Sequence, residues 1–185
     1  MSKYPKHIYC IEGNWNDHPN SKQTILPILE LLNTFSNIKY IHCRCESKAD
    51  FFYYLERFTK GYYKNYKILY IAFHGRANRI RIGKEFVTLK EIANVLKGKL
   101  TDKIVHFGSC STLRTTEKNI SDFITRTNCK HLSGYTKDVK HIDAAAFELL
   151  YFNTLQQRKY KFDVDSINTP IPTIFIQRYA TKSRI

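Results

Sequence analysis

Two short stretches carry residue types able to do covalent chemistry. Phe73-His74-Gly75 closes one apolar run, and Gly108-Ser109-Cys110-Ser111-Thr112 closes another. A thiol attacks as its thiolate, and an imidazole can take its proton near neutral pH. If the two runs are neighbouring strands of a parallel sheet, histidine and cysteine meet over a bound carbonyl although they lie far apart in the chain. A helix amino end following the small residues around Cys110 would favour the thiolate. Gly75 lets the backbone approach a substrate closely, so its N–H and that of Cys110 form a candidate oxyanion hole. On these grounds alone, a packed cysteine and a strand-end histidine with no catalytic task fit the residues equally well.

The elements that must position this pair are legible as alternating apolar runs and helical patterns. His7–Gly13, Ile38–Arg44, Lys67–Gly75, Lys103–Cys110 and Lys130–Thr136 read as buried strands. Their near-continuous apolar character fits strands covered on both faces. Helices are expected over Ser21–Phe35, with Pro27 in or near the first turn, Ala49–Tyr66, Leu89–Leu96, Thr115–Thr127 and Asp143–Gln156. A short hairpin is expected to turn at Gly83-Lys84, and the segment Pro170–Ala180 reads as a last strand. This order predicts one domain over residues 1–185, a three-layer α/β/α sandwich with a mainly parallel sheet. Ligands in such folds bind outside the carboxyl ends of the strands. Those ends hold Glu12, His74-Gly75, Cys110 and the stretch Tyr135 to Asp138.

The strand-terminal His74-Gly75, followed in order by Ser109-Cys110-Ser111-Thr112 on the next main strand, resembles the caspase-like cysteine peptidases, closest to their CHAT branch. The chain keeps the His-Gly pair, a small residue before the cysteine and the threonine two positions after it. It departs at Gly108, where the branch has serine, and at Leu113, where it has glycine; neither change touches a reacting group. The resemblance implies a caspase-like fold and an endopeptidase acting on a protein or peptide substrate; the expected cytoplasmic setting comes from the scattered cysteines and the lack of a legible leader or membrane span. His74 is then the general base and Cys110 the nucleophile, and no metal or cofactor takes part. It also implies a pocket for the substrate residue before the scissile bond, built by the loops carrying Glu12, Tyr135 and Asp138. Acids there would select a basic side chain, whereas Tyr135 would offer an apolar wall and Trp15 an anchor near the same crevice. Relatives of this kind often work inside regulated systems, which implies control by an activating protein or ligand.

Composition bounds the alternatives. With 43% hydrophobic and 14% aromatic residues the chain can bury a sizeable core, which excludes disordered and fibrous classes. No secretory leader and no membrane-spanning run is legible. Five scattered cysteines argue against a disulfide framework, and Cys43-Arg44-Cys45 lacks the second pair a zinc site needs. His106 reads as a core histidine, and the other five are assigned no task. A cysteine phosphatase loop would need arginine at position 116, where Thr116 stands, and the glycine-rich nucleotide motifs are missing. The 30 Lys and Arg against 16 Asp and Glu give a formal net charge of +14, spread along the chain. The competing reading is therefore a catalytically idle caspase-like or flavodoxin-like module, binding an anionic partner such as nucleic acid through that surface.

Overall fold

Alternation along the first apolar run divides its side chains between two cores. Ile8 and Cys10 face one, Tyr9 and Ile11 the other, and all four are buried. The computed structural model describes residues 5–16 and 22–157, and the backbone of 175–179. In order, the elements are β1 (His7–Glu12), α1 (Leu26–Ser36), β2 (Tyr40–Arg44), α2 (Lys48–Phe58), β3 (Tyr66–Ala72), β4 (His74–Arg76), β5 (Arg79–Ile82) and β6 (Glu85–Thr88). There follow α3 (Leu89–Val95), β7 (Ile104–Phe107), α4 (Glu117–Thr127), β8 (His131–Tyr135), α5 (His141–Gln157) and β9 (Phe175–Tyr179).

The main sheet has the order β2-β1-β3-β7-β8-β9. Its first five strands are parallel, and β9 closes the edge antiparallel to β8. One face packs on α2, α3 and α4 through Phe51, Leu55, Ile92, Ile120 and Phe123. The other packs on α1 and α5 through Leu29, Leu32, Tyr151 and Phe152. The fold is thus the expected three-layer α/β/α sandwich with a mainly parallel sheet. Among the described residues no helix is long and apolar enough to cross a membrane.

Two boundaries differ from the sequence reading for non-local reasons. Helix α2 stops at Phe58 instead of Tyr66, and a single tight turn over Gly61–Tyr63 follows. The carbonyls of Tyr63 and Tyr66 instead accept hydrogen bonds from the buried Lys103 ammonium, at 3.0 and 2.6 Å. Strand β3 ends at Ala72, so His74 opens a second sheet, β4-β5-β6, whose Ile80, Ile82 and Val87 sink into the first core. The hairpin does turn at Gly83-Lys84, with Gly83 at φ +57°, a conformation that favours glycine. Residues 170–174 and 180 of the expected last strand lie outside the described residues, as does His18.

A buried polar network ties α5 to the sheet. Glu148 accepts hydrogen bonds from Tyr70 and from Tyr135, at 3.2 Å for the latter, and lies 3.2 Å from His106 Nε2. His106 is fully buried, as expected, and its other ring nitrogen meets Ser133 Oγ at 2.9 Å. His131 lies nearby, 2% exposed, with Nε2 3.0 Å from the Tyr151 hydroxyl. Burial, followed by the neighbouring His106, pushes the His131 pKa down from 6.5 to about 3. The folded chain therefore binds fewer protons at this site than the unfolded chain between those values, and stability falls as pH drops below 6.5. Denaturant melts at pH 7.5 and pH 5 should show a loss of about 2 kcal/mol from this group. His131→Gln, which keeps an uncharged N–H donor, should flatten that acid limb.

Candidate active site

Strands β3 and β7 are parallel neighbours, with Ile71 opposite Phe107. The two motifs consequently leave the sheet at the same edge. Gly108 N–H continues the ladder to the Ile71 carbonyl at 2.9 Å. Beyond it Ser109, fully buried, takes over: its hydroxyl accepts from Phe73 N–H at 3.1 Å and donates to the Ile71 carbonyl at 3.4 Å. This pins His74-Gly75 beside Cys110. A Cβ placed on Gly75 would sit inside the van der Waals shells of the Cys110 carbonyl oxygen and Thr112 Oγ1, and 2.9 Å from Ser109 Cβ. The motifs thus touch backbone to backbone, an approach only glycine permits here.

Cys110 sits in a tight turn in which Ser111 has φ +54°. The turn is held by Ser111 N–H to the Lys137 carbonyl, Leu113 N–H to the Tyr135 carbonyl, and Ser111 Oγ to Asp138 Oδ1 at 2.6 Å. Helix α4 begins only at Glu117, capped by Thr116, so Cys110 is not in its first turn and the expected help from the helix end falls away. The Cys110 N–H has no acceptor among the described residues, which leaves it free for an oxyanion.

His74 Nε2 lies 2.6 Å from the Trp15 carbonyl oxygen. A carbonyl only accepts, so Nε2 carries the hydrogen, and a neutral ring presents its lone pair at Nδ1. Nδ1 has no partner among the described residues. The Trp15 ring meets the His74 ring edge-on at 5.4 Å and the His141 ring at 5.2 Å. Cys110 Sγ does not hydrogen-bond to His74. It is half-buried and lies 3.5 Å from both the N–H and the carbonyl of Val139. Burial pushes the other thiols up: Cys10 and Cys43 upward, Cys45 to about 12 and Cys129 to about 11.

The structure separates the residues expected to form a substrate pocket. Glu12 is fully buried and lines no cavity described at the site; its carboxylate takes hydrogen bonds from Trp15 Nε1, Thr24 Oγ1 and Ile25 N–H and contacts His42 Nε2. Tyr135 is 4% exposed, with its hydroxyl on Glu148, so it cannot be a pocket wall. Asp138 does line a cavity of about 420 Å3, together with Gly75, Ser111, Arg76, Arg79 and Arg114. Three arginines outweigh the single carboxylate in that cavity, so its charge does not favour a basic side chain. Sequence reasoning missed Val139, which contributes only backbone atoms, and the convergence of these arginines, which read as part of a diffuse basic surface. It named Trp15 only as a loop anchor; its carbonyl carries no side-chain signal at all.

The fold and site define an α/β/α sandwich domain with a histidine and a cysteine brought together at the carboxyl edge of its parallel sheet. The chain belongs to a family of unknown function, DUF6642, whose model matches residues 5–180. No curated protein matches it.

Proposed function

We infer that this protein is a cysteine endopeptidase of caspase-like type, with His74 and Cys110 as its catalytic residues. The observation that carries the reading is the backbone contact of Gly75 with the Cys110 turn, which sets a histidine of fixed tautomer beside a half-buried thiol. In the reaction, a substrate carbonyl enters above Cys110, and the thiol exchanges its Val139 contacts for that carbonyl. His74 Nδ1 takes the thiol proton as sulfur bonds to the carbonyl carbon. The carbonyl π electrons move to oxygen, where the Cys110 N–H meets the developing charge, with that of Gly75 as the second candidate donor. The oxyanion collapses, the C–N bond breaks, and His74 Nδ1–H protonates the departing amine. Water then attacks the thioester, again giving its proton to His74, and the thiol is regenerated with release of the acid. The Trp15 carbonyl holds the ring and stabilises the imidazolium that forms in each half. The Val139 contacts also support a resting form relieved by substrate, protein or ligand binding.

The test is covalent labelling of the intact protein by a dilute thiol electrophile, followed by peptide mapping. Preference for Cys110 over Cys10, Cys45 and Cys129 follows from their burial, and half-buried Cys43 is held back by a raised pKa, so the informative comparison is with His74→Ala. Labelling of Cys110 should slow by about tenfold or more in that variant at neutral pH, with the fold intact by circular dichroism. An unchanged rate would remove the histidine from the chemistry and leave the reading without its base.

A further inference from the structure

The arginine cavity beside the cysteine turn has charge and size of its own. Arg76 and Arg79 stand directly opposite each other in β4 and β5, a like-charge pairing that costs stability in isolation. Their guanidinium carbons lie 5.7 and 4.4 Å from the ring centre of the same residue, Phe86. Arg114 adds a third cation from the turn after Cys110. None of the three has an ion pair or side-chain hydrogen bond among the described residues. By contrast Arg44, Arg57 and Arg126 each donate to a side-chain oxygen. The cavity's one carboxylate, Asp138, already accepts from Ser111, so the lining carries two net positive charges. A phosphomonoester brings about −1.5 to −2 charges at pH 7, and its oxygens match the guanidinium fork. A volume of about 420 Å3 falls among small-molecule sites rather than single side-chain pockets.

We propose that this cavity binds the phosphoryl group of a small-molecule phosphomonoester, held by Arg76, Arg79 and Arg114. The site includes Ser111 of the cysteine turn and Gly75 of the strand that touches it, and Asp138 precedes the residue whose backbone holds Cys110 Sγ. The ligand therefore sits where its arrival bears on the thiol. Binding needs no hydrolysis, so it is tested apart from the peptidase reading and survives that reading's failure.

The experiment is calorimetric titration of the full chain at fixed salt with adenosine 5′-monophosphate, inorganic phosphate, adenosine, glutarate and an oligonucleotide lacking a terminal phosphate. The nucleotide should saturate one site, and adenosine should give no heat of binding. Arg79→Gln and Arg114→Gln, both at exposed positions, should each weaken nucleotide binding by about tenfold or more. Lys118→Gln, an equal charge change away from the cavity, should leave it unchanged. A nucleotide that binds more tightly than phosphate supports an ester as the ligand; equal affinities support free phosphate under the same chemistry. Lack of saturable binding by both overturns the proposal. So does nucleotide binding indifferent to the arginine variants, glutarate binding as tightly as the nucleotide, or tighter binding of the oligonucleotide, which would assign the cations to a nucleic-acid surface.

Discussion

Gly75→Ala is expected to destabilise the fold by about 3 kcal/mol or more, a cost at the upper end for overpacking. The added methyl meets the Cys110 carbonyl oxygen and Thr112 Oγ1, both fully or half buried, and neither can swing away as a surface side chain would. Ser109 makes the site stiffer, because its hydroxyl bonds both strand ends at once. Relief therefore requires β4 to separate from the cysteine turn, which also carries His74 away from Cys110. Denaturant melts should show the loss, and Cys110 labelling in the folded fraction should become insensitive to His74→Ala. Gly61→Ala is the matched control: a Cβ there meets nothing within 4 Å, and the change should be within about 1 kcal/mol of neutral or stabilising. Equal stability of the two variants would mean that the strand-end contact does not exist in solution.

That contact was half legible in the sequence. The apolar runs announced parallel strands buried on both faces, and the positions of His74 and Cys110 at their ends followed from the runs' lengths. The register that makes β3 and β7 neighbours is a tertiary fact, set by two cores that sort Leu69 and Ile71 to one face and Ile68 and Tyr70 to the other. The sequence overstates helix α2 because aromatic residues continue through Tyr62, Tyr63 and Tyr66, while the group that claims the Tyr63 and Tyr66 carbonyls is Lys103, some forty positions later. The burial of Glu12 is invisible in the sequence because a strand-end carboxylate looks alike there whether solvated or buried. Arg114 stands two positions short of where a phosphatase loop needs its arginine, so in the sequence it is one more charge of a diffuse basic surface. Its meeting with Arg76 and Arg79 depends on the hairpin folding back over the turn, which no spacing encodes.

Glu12→Ala is expected to cost about 3–5 kcal/mol, the range for removing one partner of a buried charged network. Four groups converge on this carboxylate: Trp15 Nε1 at 2.5 Å, Thr24 Oγ1 at 2.7 Å, Ile25 N–H at 2.8 Å and His42 Nε2 at 2.5 Å. Burial pushes its pKa up, and the hydrogen bonds from His42, Trp15, Thr24 and Ile25 together outweigh that and hold it below the ordinary 4.5. A carboxyl whose folded pKa is depressed contributes its full stability above 4.5 and loses it as pH falls through the folded value. Glu12→Gln should therefore remove part of the stability at neutral pH and shrink the acid loss, since an amide keeps one acceptor but turns a donor toward donors. The consequence reaches the histidine through one residue. Glu12 holds the Trp15 side chain, and the Trp15 carbonyl takes the His74 Nε2 hydrogen. Loss of the carboxylate frees the tryptophan, and with it the constraint that keeps the His74 lone pair at Nδ1. Cys110 labelling in folded Glu12→Gln should accordingly fall toward the rate of His74→Ala, with its pH dependence displaced. A variant that lost stability but kept both the rate and the pH profile would make Glu12 a strut for the loop alone, with no part in orienting the base.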